Sequence, residues 1–118
     1  MNVELRSLAC ACQLEFEDFI RSTEEFNSGS MPFLEVATLY LKKSSVFTED
    51  DIETINRHDF YTNETNYKVC AFWINRKYTI ESIDSLKSTI TKEYNKDLEE
   101  KDIKNIYSYI QEIHKGGN

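Results

Sequence analysis

Val46-Phe47-Thr48-Glu49-Asp50-Asp51-Ile52-Glu53-Thr54-Ile55 spells a complete helix start. Thr48 can accept hydrogen bonds from the first exposed amides. Asp51, three residues on, is placed to reach back as the acid of a capping box. Phe47 and Ile52 occupy the two positions of a hydrophobic staple, and Glu49, Asp50 and Asp51 complement the positive end of the helix dipole. Tyr78-Thr79 followed by Ile83 reads the same way, a staple around a threonine cap. Starts of this kind set the register of a helical bundle.

Outward from this stretch, apolar spacing divides the chain into six helical segments. The first covers residues 3–25, with Leu5, Leu8, Ala9, Cys12, Phe16, Phe19 and Ile20 on one stripe, and Asn27-Ser28-Gly29-Ser30 ends it. Pro32 suits a first helical turn, and residues 33–43 are apolar nearly all round, so this second helix is expected at the centre. The third is the capped acidic segment, residues 49–57. A polar loop over residues 61–65 leads to the fourth, residues 66–77, which carries Tyr67, Val69, Cys70, Ala71, Phe72, Trp73 and Ile74. Trp73 is expected to pack between the second and fifth helices. The fifth covers residues 80–94, with Ile83, Leu86 and Ile90 inward. The sixth starts near Asp97, where Asp97 and Glu100 hold capping-box spacing. Ile103, Ile106, Tyr107, Ile110 and Ile113 form its stripe, and Gly116-Gly117 provide an end.

Composition agrees with an all-α reading. The 118 residues are enough for one domain, residues 1–118, with a real core. A hydrophobic share of 40% and an aromatic share of 13% argue against disorder, and three glycines with one proline leave little punctuation for β-turns. The net charge of −7 argues against wrapping nucleic acid or adhering to an anionic membrane, which both need positive surface. No segment has transmembrane length, and residues 2–26 carry acids in place of the apolar run of a signal peptide, so a cytoplasmic location is expected. Cys10, Cys12 and Cys70 are an odd number and read as reduced, buried thiols.

The order of motifs resembles the caspase recruitment domain, a branch of the death-fold superfamily. In that family a long, sometimes kinked first helix precedes an apolar second helix. A tract close to "valine or isoleucine, apolar, threonine, acid, acid" then opens a short third helix, as Val46-Phe47-Thr48-Glu49-Asp50 does here. The fourth helix carries paired apolar residues and a basic end, matched by Cys70, Trp73, Ile74, Arg76 and Lys77; the fifth matches Ile80, Ile83, Leu86 and Ile90. Two features depart from the pattern. Tyr78 stands where a glycine usually follows the fourth helix, and the segment 23–31 is longer than usual. A related reading is a death domain over residues 31–117 with an added N-terminal helix. The resemblance implies a six-helix antiparallel bundle of death-fold type.

No residue set announces a reaction. Cys70 would need His58 or His114 as a base, yet it lies on the apolar face of a predicted core helix. No glycine-rich phosphate loop, zinc ligand set or calcium loop is present, so no catalytic residue, cofactor or metal is expected. What remains is charge as recognition. By the resemblance, Glu49, Asp50, Asp51 and Glu53 form an acidic face, and Arg6, Arg21, Lys68, Arg76 and Lys77 are candidates for a basic one; opposed patches of this kind steer encounter. The partner would be another protein carrying a death-fold domain, with a homo-oligomer as one form. The expected function is that of a non-enzymatic adaptor or regulator in apoptotic or innate-immune signalling. The rival is a virus- or phage-encoded helical protein that binds and blocks a host factor.

Overall fold

The computed structural model describes residues 2–117 and contains, among them, seven α-helices and no strand. These are α1 (Val3–Arg21), α2 (Glu24–Asn27), α3 (Phe33–Lys43), α4 (Glu49–Asn56), α5 (Asn63–Lys77), α6 (Ile83–Tyr94) and α7 (Glu100–Gly117). The chain is all-α.

Local chemistry explains most boundaries. Thr48 caps α4 as expected: its Oγ1 accepts from the Asp51 amide at 3.1 Å, and the Asp51 carboxylate accepts from the Thr48 amide at 2.9 Å. The expected first helix breaks at Arg21, giving seven helices where six were expected. Ser22 and Thr23 donate their hydroxyls to the carbonyls of Phe19 and Ile20, each at 2.7 Å, and Thr23 then caps the single turn of α2. Serine and threonine bonding back in this way offer the backbone an alternative to the helix. The start of α5 is Asn63, earlier than expected, because Thr62 accepts from the Thr65 amide.

Two expected starts are corrected. Thr79 does not cap α6. Ser82 and Ser85 make the reciprocal capping box instead, each amide donating to the other's hydroxyl at 3.0–3.1 Å, so the helix begins at Ile83. Asp97 and Glu100 do not form a box either. The amides of Asp102 and Ile103 donate to the Glu99 carbonyl, and the Glu100 carboxylate accepts from Lys87 Nζ at 2.9 Å. Gly116 and Gly117 are the last two residues of α7. A Cβ on Gly116 would stand 2.6 Å from Ser45 Oγ, so a side chain there would press on the loop after α3.

The central helix is α5, packed along α1 on one side and α7 on the other, while α6 leans on α7 and α3 on α1 and α4. Six consecutive residues, Val69 to Ile74, are buried. Phe72 meets Phe16 edge-on at 5.2 Å between ring centroids, and Trp73 meets Phe16 at 6.0 Å and Phe19 at 5.9 Å. Such pairs add about 0.5–1.5 kcal/mol each beyond the area they bury. Ile103, Ile106 and Ile110 of α7 close the other side, and the buried Asp102 accepts from Tyr67 Oη at 2.6 Å. Trp73, expected between the second and fifth predicted helices, packs on α1 through Phe16 and Phe19. The second of these, α3, is peripheral: only Val36, Ala37 and Leu41 are buried, while Leu34 is 53% and Leu39 42% exposed. The buried apolar residues of α1 and α3–α7 form one cluster, against which Phe26 of α2 packs partly buried.

Candidate interaction surfaces

The four acids predicted on α4 divide into two kinds. Asp51 is enclosed. One carboxylate oxygen takes both the Thr48 amide and, at 2.7 Å, Lys68 Nζ from α5; the Lys68 and Asp51 side chains are 14% and 16% exposed. Burial alone would raise the Asp51 carboxyl, but the Lys68 ammonium and the Thr48 amide outweigh it and hold it below its ordinary value. Asp51 and Lys68 thus tie α4 to α5. Glu53 pairs with Arg57 one turn along at 2.9 Å, both exposed, an arrangement worth little in water. Glu49 and Asp50 remain exposed on the first turn.

The predicted basic residues divide in the same way. Lys77 reaches Glu15 of α1 at 3.2 Å. Glu15 also accepts from Trp73 Nε1 and Tyr94 Oη, each at 2.7 Å. Burial pushes the Glu15 carboxyl up, and the Tyr94, Trp73 and Lys77 donors together pull it below its usual range. Lys77 is therefore a structural tie, like Lys68. Arg21 pairs with Asp18 at 3.3 Å and lies over Phe33, and Arg6 lies over the Tyr61 ring. Arg76 differs. Its Cζ stands 4.6 Å from the Phe19 centroid and 5.2 Å from that of Tyr40, and it makes no side-chain hydrogen bond or ion pair among the described residues.

Arg76 borders a cleft of about 350 Å³ between α3, α5 and α7. Phe72 and Ile113 give it an apolar floor. Lys43, at the end of α3, and His114, near the end of α7, stand on its rim with Arg76, and among the described residues no carboxylate lines it. Lys43 Nζ lies 4.8 Å from the Tyr40 centroid, and His114 Nε2 is 2.9 Å from Asn75 Oδ1. Sequence reading found Arg76 and missed Lys43 and His114. The available signal was that all three stand in the last turns of their helices, where cations are favoured.

Neither histidine is hydrogen-bonded to Cys70 among the described residues. Cys70 is fully buried beside Cys12, and burial together with that neighbour raises its pKa well above the ordinary thiol value. His58, 53% exposed, contacts Glu17 instead. All three cysteines are free. Among the described residues no group of three His, Cys, Asp or Glu side chains is placed to hold a metal, and no helix is long and apolar enough to cross a membrane. Compared with known protein families, with curated proteins and with solved structures, the chain matches none.

Proposed function

We propose that this is a non-enzymatic protein–protein interaction module of death-fold type, an adaptor or regulator in the cytoplasm acting through contacts with another helical domain. The observation that carries the reading is what internal packing leaves over. Glu49 and Asp50 are exposed beside α3, and Lys43 and Arg76 border the cleft at another side of it, with no acid paired to either cation among the described residues. On the same helix Leu34 and Leu39 are exposed to solvent. Charges of both signs together with exposed leucines suit recognition: the charges steer and reject, and the apolar side chains supply contact area. Under this reading α1 and α2 together stand for the long, kinked first helix of the family. Charges of both signs on one chain also suit a homo-oligomer.

The test is affinity capture from the source cell with the native protein and with a Glu49→Lys, Asp50→Lys double variant. Asp51 is left intact because it caps α4 and pairs with Lys68. The expected bound protein is a caspase, an oligomerising ATPase or a death-fold adaptor, lost on charge reversal and less so at high salt, where such pairs are screened. Capture of a polymerase or nuclease would replace this reading with that of a blocker of a host factor.

A further inference from the structure

We propose that the cleft between α3, α5 and α7 is a receptor for a linear acidic segment of a partner protein, one that sets a carboxylate beside an aromatic or branched aliphatic side chain. This rests on the interaction reading and gives its basic side a chemistry. Arg76 is the centre of the argument. Its Cζ lies 4.6 Å from the Phe19 centroid and 5.2 Å from that of Tyr40, and the guanidinium makes no side-chain hydrogen bond among the described residues. A guanidinium so placed can take a carboxylate bidentately. Lys43, its Nζ 4.8 Å from the Tyr40 centroid, adds a second donor on the same rim, and the floor of Phe72 and Ile113 offers apolar surface below it.

The charge present selects the ligand. Lys43, Arg76 and His114 each stand in the last two turns of a helix, and each helix end carries roughly half a negative charge. Lys77 is neutralised by Glu15. The two cations therefore exceed the three helix ends by only about half a charge, enough to favour a single carboxylate and poorly matched to a polyphosphate. At about 350 Å³ the cleft lies at the small end of ligand sites, with room for one or two side chains rather than a folded surface.

The experiment is an NMR titration of the full-length protein, following backbone amides and the Arg76 side chain. The probes are the peptide acetyl-Glu-Asp-Phe-Glu-Asp-amide, its neutral counterpart acetyl-Gln-Asn-Phe-Gln-Asn-amide, free 3-phenylpropionate and ATP. The acidic peptide is expected to shift Arg76, Asn75 and Ile113 saturably. Arg76→Gln, an exposed position where folding is retained, should weaken it about tenfold or more, while Lys92→Gln on α6 changes nothing. Equal binding of the neutral peptide, tighter binding of ATP, 3-phenylpropionate binding as well as the peptide, or no saturable shift at millimolar peptide would each overturn the proposal. So would shifts of the same residues by an unlabelled second copy of the chain in preference to peptide. A failed titration with a captured partner still sensitive to Glu49 and Asp50 removes the cleft alone. A successful titration with no partner of the expected kind removes the signalling role alone.

Discussion

Helices α3 and α5 teach opposite lessons about what puts a helix at the centre of a bundle. Seven of the eleven residues of α3 are apolar or aromatic, yet only three are buried. The fifteen residues of α5 include Asn63, Glu64, Asn66, Lys68, Asn75, Arg76 and Lys77, yet nine of its residues are buried, Thr65 and Asn66 among them. A short helix packed on α1 and α4 can bury one face, whatever its other faces carry. A helix flanked by α1 and α7 buries nearly all of its middle and tolerates polar groups where they are bonded. Thr65 accepts from Thr62, and Asn66 donates to the Phe60 carbonyl at 3.2 Å, although Asn66 Oδ1 has no hydrogen bond among the described residues.

The sharpest way to break this comparison is to truncate one large side chain in each helix. Trp73→Ala on α5 removes a ring packed on Phe16 and Phe19 together with its hydrogen bond to Glu15, and is expected to cost about 3–5 kcal/mol in chemical denaturation. Leu39→Ala on α3 should stay within about 0.5 kcal/mol of the native protein, as for most exposed positions. Equal losses would make α3 a core helix after all.

Glu15 sharpens the comparison, because it ties the central helix to α1 and α6 through one carboxylate. Glu15→Gln should cost about 1–3 kcal/mol at neutral pH, since a charge-assisted acceptor of three donors becomes a neutral amide. The Glu15 carboxyl is depressed in the folded state, so its contribution is present above the ordinary value of 4.5 and is lost as pH falls from there through the lower folded value. Denaturation curves of the native protein and the variant should therefore converge as pH falls below about 4.5. A gap unchanged down to pH 2 would assign the loss to packing rather than charge.

The smallest effect separates two candidate caps. Ser82→Ala should cost about 1 kcal/mol, and Thr79→Ala should lie within about 0.5 kcal/mol of the native protein. The reverse order would return the start of α6 to Thr79.

Sequence by itself determined the helices whose signals are contained within a few residues. Residues 33–43 are helical with the bounds read from their apolar run, and the Thr48–Asp51 box fixes the start of α4 because both its bonds span three residues. The stripe of α1 is read almost whole, with Leu5, Leu8, Ala9, Cys12, Phe16 and Ile20 all buried. Periodicity was less able to choose between neighbouring caps, since Thr79 and Ser82 both precede apolar residues and only the hydroxyl of Ser82 meets an amide. Of the six residues expected to bind a partner, Asp51, Glu53 and Lys77 are held in ion pairs, and Glu49, Asp50 and Arg76 make no side-chain hydrogen bond or ion pair among the described residues. That division was decided by tertiary structure. Asp51 meets Lys68 across 17 positions, and Glu15 meets Trp73 across 58 and Tyr94 across 79, distances over which no local pattern carries information. The same holds for the cleft. Lys43, Arg76 and His114 each follow a local rule for helix ends, but only the packing of α3, α5 and α7 brings those three ends to one rim. Which charges remain for a partner depends on which ones the fold has already desolvated and paired.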